Sequence, residues 1–216
     1  MTIRCWHLPW ATALLLLATL HTSFAITGWE GFISWCNPYW ADCISISHSG
    51  RHGLAYFVFK GGMIPAAVLL WLFWYLNTHW LTTIGQRQAG LIAIASVASL
   101  ALLVYTLVLG HSGDGFRTLR RFGVVLFFGL NFVNFVLLAK ALFRSHQPQL
   151  GRVLTRASAV TLGVALISLL LDALLGDAYD RLENAFEWWL SLMLTGLLVY
   201  VGQLWQHTDF RLYSRR

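Results

Sequence analysis

The stretch GLIAIASVASLALLVYTLVLG, residues 90–110, indicates the fold class. It contains no charged residue, and at about 1.5 Å per residue a helix of this length crosses the ~30 Å hydrocarbon core of a bilayer. Five further runs of similar character cover residues 8–26, 56–76, 122–143, 158–175 and 188–205. None of the six alternates in polarity as a barrel strand does. The sequence therefore predicts an all-α, polytopic membrane helical bundle of about six transmembrane helices, with residues 1–216 in one domain.

The composition agrees with a membrane location. Of the 216 residues, 57% are hydrophobic and 11% are charged, whereas soluble domains contain about 25% charged residues. Many of the 11 Trp residues lie near the ends of apolar runs, as in an interfacial aromatic belt. The net charge of +6 is spread along the chain, which favours membrane orientation over nucleic-acid binding. We expect a multi-pass protein, in the plasma (inner) membrane if bacterial, with no cofactor and an undetermined protein partner.

The loop charges predict the orientation. Arginines predominate in residues 1–7, 77–89, 144–157 and 206–216, where Asp209 is the only acid. By the positive-inside rule these segments and both termini are cytoplasmic. The eight arginines are Arg4, Arg87, Arg144, Arg152, Arg156, Arg211, Arg215 and Arg216. The acids of the opposite loops are Glu30, Asp42, Asp114, Asp177, Asp180 and Glu183, with Glu187 at the boundary.

The first run resembles a signal peptide, because Ser23-Phe24-Ala25 could serve as a cleavage site. It is longer than a usual signal-peptide core, and a second span follows, so we expect an uncleaved first helix. Cys36 and Cys43 lie together in the loop after it. They predict a disulfide if that loop faces an oxidising compartment; the alternative is two buried free thiols.

The second outer loop is basic on the side where positive charge is disfavoured. Arg117, Arg120 and Arg121 follow Asp114 in it, and Arg117 and Arg121 share a helical face. Guanidinium groups bind phosphate in bidentate fashion. The arginines therefore predict either contacts to anionic lipid headgroups or an ion-pair network with Glu183 and Glu187, and both could hold.

Lys60 lies about one turn inside the second span, where a charge is costly unless it snorkels or finds a partner. One interpretation is snorkelling to the outer headgroups. The other is a phosphate or carboxylate contact made together with Arg51. Asp172, in the outer part of the fifth span, is a further acid at membrane depth.

The outer loops also contain residues that could support catalysis. Ser45 or Ser47 could act as a nucleophile, with His48, His52 or His111 as its base. His48 and His52 are spaced as two metal ligands on a helix, and a metal-dependent enzyme would also use His111 and an acid such as Asp114. The metal signal is weak, and we predict no metal site. No nucleophile-elbow or recognised metal motif accompanies these residues.

Three stretches carry a family resemblance: Cys43-Ile-Ser-Ile-Ser-His-Ser-Gly50, Gly110-His-Ser-Gly-Asp-Gly-Phe-Arg117 and Glu183-Asn-Ala-Phe-Glu-Trp188. In their order and membrane placement they resemble the Frag/DRAM/Sfk family of six-span proteins, which includes a GPI-anchor lipid-remodelling factor and the DRAM autophagy modulators. A bacterial six-span family of unknown function is a second resemblance. The first implies lipid handling on the extracytoplasmic side, without an agreed catalytic mechanism.

The leading hypothesis is therefore a protein that binds or remodels membrane lipids, and we lean against an enzyme. Its predicted ligands are lipids with anionic headgroups. The alternatives are a membrane-embedded hydrolase or acyltransferase, possibly metal-dependent, and a non-catalytic subunit or chaperone of a membrane complex. The predicted ligand-binding residues are Arg51, Lys60, Asp114, Arg117, Arg120, Arg121, Glu183 and Glu187.

Overall fold

The protein is an all-α bundle in a computed structural model that describes residues 2–40, 42–145 and 148–213. The predicted cytoplasmic arginines Arg215 and Arg216 lie outside the described residues, as do the side chains of the predicted outer acids Asp177 and Asp180. The elements are β1 (Thr2–Arg4), α1 (His7–Trp29), α2 (Ile46–Ser49), α3 (Gly53–Thr83), α4 (Leu91–Val108), α5 (Asp114–Phe143), α6 (Pro148–Leu175), a 3-10 turn (Gly176–Ala178), α7 (Asp180–His207) and β2 (Arg211–Tyr213).

Six of the helices are long and apolar enough to cross a membrane. They coincide with the six predicted runs, which confirms the fold class and a multi-pass integral membrane protein. Several helices extend beyond those runs. For example, α5 begins at Asp114 instead of residue 122, and α6 begins at Pro148 instead of residue 158. Hydropathy marks only the part of a helix that hydrocarbon surrounds, whereas the backbone continues helical through the interface.

The two ends of the chain meet. β1 and β2 pair antiparallel, with Thr2 opposite Tyr213 and Arg4 opposite Arg211. Both ends therefore lie on one side of the bundle, as an even number of spans requires. We refer to this side as the terminal end, which is the predicted cytoplasmic side, and to the opposite side as the outer end.

The core is aromatic towards the terminal end. Phe73, Trp74 and Trp80 of α3 are fully buried against Phe135 of α5 and Trp205 of α7. Packing is the main source of affinity between helices that lipid already solvates. These large rings therefore fasten α3, α5 and α7 together.

Polar residues within the spans join neighbouring helices. The Trp74 indole N–H donates to the Asn131 side-chain oxygen at 2.8 Å. The Asn134 amide donates to the carbonyl of Leu91 at 3.1 Å. The Trp71 indole N–H donates to the Ser96 hydroxyl at 3.0 Å. Such bonds are the usual role of Asn and Ser inside membrane bundles.

The sixth helix of the chain, α6, is peripheral. It packs against α5 and α7, but only 11% of its most apolar window is buried, against 44–56% in the other five spans. Near the terminal end its backbone approaches α5 closely at Gly151, where an added Cβ would lie 2.6 Å from the Phe143 nitrogen. Towards the outer end the space between α5, α6 and α7 widens into the cavity described below.

Candidate functional site: an outer cavity between three helices

The first outer loop, residues 30–52, forms one wall of the site because it is tied to the outer end of α7. A disulfide joins Cys36 and Cys43. The Asp42 backbone N–H donates to the Arg181 carbonyl at 2.9 Å, and the Arg181 guanidinium donates to both carboxylate oxygens of Asp42 at 2.6 and 2.8 Å. This hydrogen-bonded guanidinium lowers the pKa of the Asp42 carboxyl.

One face of α7 binds the backbone of this loop. The Asn184 amide donates to the Cys43 carbonyl at 2.7 Å, and the Trp188 indole donates to the Ile44 carbonyl at 3.0 Å. The Ile46 N–H donates to Oε2 of Glu187 at 3.0 Å. Side chains three and four residues apart share a helical face, so Asn184, Glu187 and Trp188 together hold the backbone of residues 43–46. Two of the stretches quoted in the sequence analysis, residues 43–50 and 183–188, thus contact each other directly.

The short helix α2 places polar groups at the cavity. Ser45 caps it, because its hydroxyl accepts the His48 backbone N–H at 3.1 Å. The Ser45 and Ser47 hydroxyls lie 3.1 Å apart. The Arg51 guanidinium donates to the Ser47 hydroxyl at 2.9 Å and to the Ser47 carbonyl at 3.2 Å. The cap and these bonds orient Ser47 and Arg51 together.

The arginines of α5 form the facing wall. Arg117 pairs with Asp114, Arg121 pairs with Asp172 of α6 at 2.7 Å, and Arg120 donates to the His111 carbonyl at 2.9 Å. The sequence suggested Glu183 and Glu187 as ion-pair partners. In the structure Arg117 pairs instead with Asp114, three residues earlier on α5. Arg121 pairs with Asp172, because α6 lies beside the outer part of α5.

These walls enclose a cavity of about 610 Å³. Its outer part is polar and charged, whereas its inner part is lined by aliphatic and aromatic side chains of α5 and α6. The polar lining consists of Ser45, Ser47, Arg51, Tyr105, Arg117, Arg120, Arg121, Ser168, Asp172, Tyr179, Glu183, Asn184 and Glu187. The apolar lining includes Val124, Phe128, Phe132, Val133, Leu162, Leu166 and Leu169.

A small inner cavity of about 30 Å³ adjoins the large one. Tyr105, Val124, Phe128 and Glu187 line both. Its remaining wall is mainly apolar and is contributed by α1, α2, α3, α4, α5 and α7. Glu187 therefore lies where the polar outer cavity meets the core of the bundle.

The structure brings together most of the residues predicted to bind a ligand, and separates others from them. Arg51, Arg117, Arg120, Arg121, Glu183 and Glu187 line the large cavity, whereas Lys60 and Asp114 do not. Lys60 donates to the Tyr56 hydroxyl at 2.5 Å and to the Leu107 carbonyl at 3.1 Å, so it lies against α4. Whether any of these residues binds a ligand stays a prediction.

Some of the predicted catalytic residues line the cavity and others do not. Ser45 and Ser47 line the cavity, whereas His48, His52 and His111 are not among its lining residues. A serine nucleophile needs an adjacent base, and whether one of these histidines serves Ser45 or Ser47 stays a prediction. Burial, together with the neighbouring charges of Arg51 and His52, lowers the pKa of His48.

No group of three or more His, Cys, Asp or Glu side chains within the described ranges could hold a metal ion. The His48 and His52 rings lie edge to face, 6.1 Å apart between centroids. The loop conformation around Gly50 and Arg51 turns the chain between α2 and α3, so the pair does not share one helix.

Five polar cavity residues were not singled out as site residues from the sequence: Tyr105, Ser168, Asp172, Tyr179 and Asn184. Four of them carry no charge that would mark a site in the sequence. Asp172 was noted only as an acid at membrane depth, which was a usable signal. Arg181, which fastens the first loop, was overlooked because it lies among acids in the third loop.

The fold and the cavity geometry are the features that bear on function, and the resemblance to the Frag/DRAM/Sfk family stays a prediction. Comparison of the chain with family models, with curated proteins and with solved structures finds no match.

Proposed function

We propose that the protein binds a membrane phospholipid in the cavity between α5, α6 and α7, with the headgroup phosphate at the arginines. The observation that carries this proposal is the polarity of the cavity. Four arginines, Arg51, Arg117, Arg120 and Arg121, line the outer part, and hydrocarbon side chains line the inner part. A phospholipid has the same division between a charged head and an apolar chain.

The arginines retain donors for a phosphate. Each guanidinium has five N–H groups in a planar fork. Arg121 uses one nitrogen on Asp172, Arg120 uses one on the His111 carbonyl, and Arg51 uses two on Ser47. The remaining N–H groups can bind phosphate oxygens in the bidentate manner that favours Arg over Lys.

The inner part of the cavity suits an acyl chain. Phe128, Phe132 and Val133 of α5 face Leu162 and Leu166 of α6 across it. Gly129 lines the same wall, and apart from its own helical backbone and chain neighbours no atom lies within 4 Å of the position that its Cβ would occupy. The volume of about 610 Å³ falls within the range of roughly 300–1,000 Å³ found for small-molecule sites.

Native mass spectrometry of the purified full chain tests this proposal. The probes are phosphatidylglycerol and diacylglycerol with the same acyl chains, which differ in the phosphate headgroup. We expect the wild type to retain phosphatidylglycerol preferentially. The double variant Arg117→Gln/Arg121→Gln should lose about tenfold of that retention, because it removes two guanidinium groups from the cavity wall.

The matched control is Arg152→Gln/Arg156→Gln, which removes the same charge from two exposed arginines near the terminal end of α6. It should retain phosphatidylglycerol as the wild type does. Equal retention by the wild type and the Arg117/Arg121 variant, or no preference of the wild type for the phosphate-bearing lipid, would refute lipid binding at this cavity.

A further inference from the structure

The two sides of the cavity carry opposite charge. Arg117, Arg120 and Arg121 belong to the α5 wall, whereas Glu183 and Glu187 belong to the α7 wall. Arg51 lines the same cavity and interacts electrostatically with both Arg120 and Glu187. The site therefore offers an acceptor surface and a donor surface to the same ligand.

We infer that the ligand is a phospholipid whose headgroup also carries a primary amine, of the phosphoethanolamine class. This inference rests on the proposed function and names the class of lipid. The phosphate lies at the arginines, and the ammonium donates to Glu187 and Glu183.

The position of Glu187 supports this assignment. The Ile46 N–H, held by the docked first loop, binds its Oε2 at 3.0 Å and so orients the carboxylate. A carboxylate has two oxygens and about four acceptor positions. One bond to Ile46 leaves acceptor capacity on a side chain that lines both the large and the small cavity.

A purely anionic headgroup fits the site less well. It would place its negative charge near the carboxylates of Glu187 and Glu183, and like charges repel strongly where little water screens them. A zwitterion with an N–H-bearing ammonium places a positive charge and hydrogen-bond donors there instead. A quaternary ammonium has no N–H to donate, so phosphatidylcholine cannot form hydrogen bonds to these carboxylates.

A competition experiment on the full chain tests the class of headgroup. Phosphatidylethanolamine, phosphatidylglycerol and phosphatidylcholine with identical acyl chains compete for the purified protein, and native mass spectrometry measures retention. We expect the wild type to retain phosphatidylethanolamine about fivefold over each of the other two. Glu187→Gln keeps an acceptor for the Ile46 N–H but removes the charge, and it should abolish that preference while phosphatidylglycerol is still retained over diacylglycerol.

Glu183→Gln is the second variant, and it should reduce the same preference even if Glu187→Gln does not fold. Asp209→Asn, which removes a carboxylate charge at the terminal end, is the control and should behave as the wild type. Equal or greater retention of phosphatidylglycerol by the wild type, or an unchanged preference in both Glu variants, overturns the inference and leaves the proposed function standing. Failure to prefer any phosphate-bearing lipid over diacylglycerol overturns both.

Discussion

Two glycines on the facing helices α5 and α6 serve opposite purposes. At Gly151 the missing side chain lets α6 approach the backbone of α5, since a Cβ there would lie 2.6 Å from the Phe143 nitrogen. At Gly129 the missing side chain leaves space, since no other atom lies within 4 Å of its Cβ position. The first glycine closes the helix pair near the terminal end, and the second widens the cavity. A glycine in a membrane span therefore indicates either close helix packing or cavity space, and the position of the neighbouring helix decides between the two.

The largest effect is expected from substituting Gly151, where the two helices are in close contact. Gly151→Leu should lower the free energy of unfolding by about 3 kcal/mol, because the new side chain meets the α5 backbone, which cannot move away easily. Thermal or denaturant unfolding of the purified protein in detergent measures the change. The control is Gly163→Leu on the same helix, where nothing lies within 4 Å of the Cβ position. Equal stability of the two variants would show that the close approach at Gly151 is unimportant.

The second test concerns the disulfide that shapes the outer wall. Replacing Cys36 and Cys43 by Ser should destabilise the docked first loop by about 2 kcal/mol, because the closed loop no longer restricts the unfolded chain. Limited proteolysis within residues 30–52 reports on the loop, and unfolding reports on the whole. Dithiothreitol should reproduce the effect in the wild type and add nothing to the double variant. An unchanged cleavage rate would contradict the role given to the disulfide.

The third test fills the cavity space beside Gly129. Gly129→Leu should reduce retention of phosphatidylglycerol about fivefold with little loss of stability, because the side chain enters space that the proposed acyl chain occupies. Native mass spectrometry measures retention. Gly196→Leu is the matched control on α7, where the Cβ position is also open but does not line the cavity. Loss of retention in both variants would attribute the effect to helix perturbation and not to the cavity.

The smallest effect is expected from the exposed Asp42–Arg181 pair. The hydrogen-bonded guanidinium lowers the pKa of Asp42 in the folded protein. Its stabilisation is therefore present above the ordinary pKa of an aspartate and is lost as the pH falls through the folded pKa. Asp42→Asn should remove this part of the pH dependence, which unfolding measured between pH 7 and pH 3 detects. Identical pH profiles for the wild type and Asp42→Asn would show that the pair adds nothing.

The spans were predictable because their signal is local. A helix such as α4 is recognised from uninterrupted apolar residues, whatever its neighbours. Helix ends at Asp114 and Pro148 escaped the prediction because polar turns outside the hydrocarbon leave no hydropathy signal. Arg117, Arg120 and Arg121, which depart from the charge trend of the predicted outer loops, line one cavity in the structure, and their role in binding a ligand stays a prediction.

The composition of the cavity was less predictable, because it depends on which helices are neighbours. Arg51 precedes α3 and Lys60 lies within its first turns. Even so, Lys60 lies against α4, whereas Arg51 lines the cavity. Asp172 joins Arg121 only because α6 lies beside the outer part of α5. The charge and spacing of residues along the sequence do not show which helices lie next to each other.

The ribbon formed by β1 and β2 has a consequence for synthesis. Its first strand leaves the ribosome before any of the helices, whereas its partner, Arg211–Tyr213, emerges after all of them. The earliest element must therefore wait, unpaired, until translation has passed α7. This pairing joins residues at nearly the greatest sequence separation in the chain, so it can form only after every helix of the bundle has been synthesised.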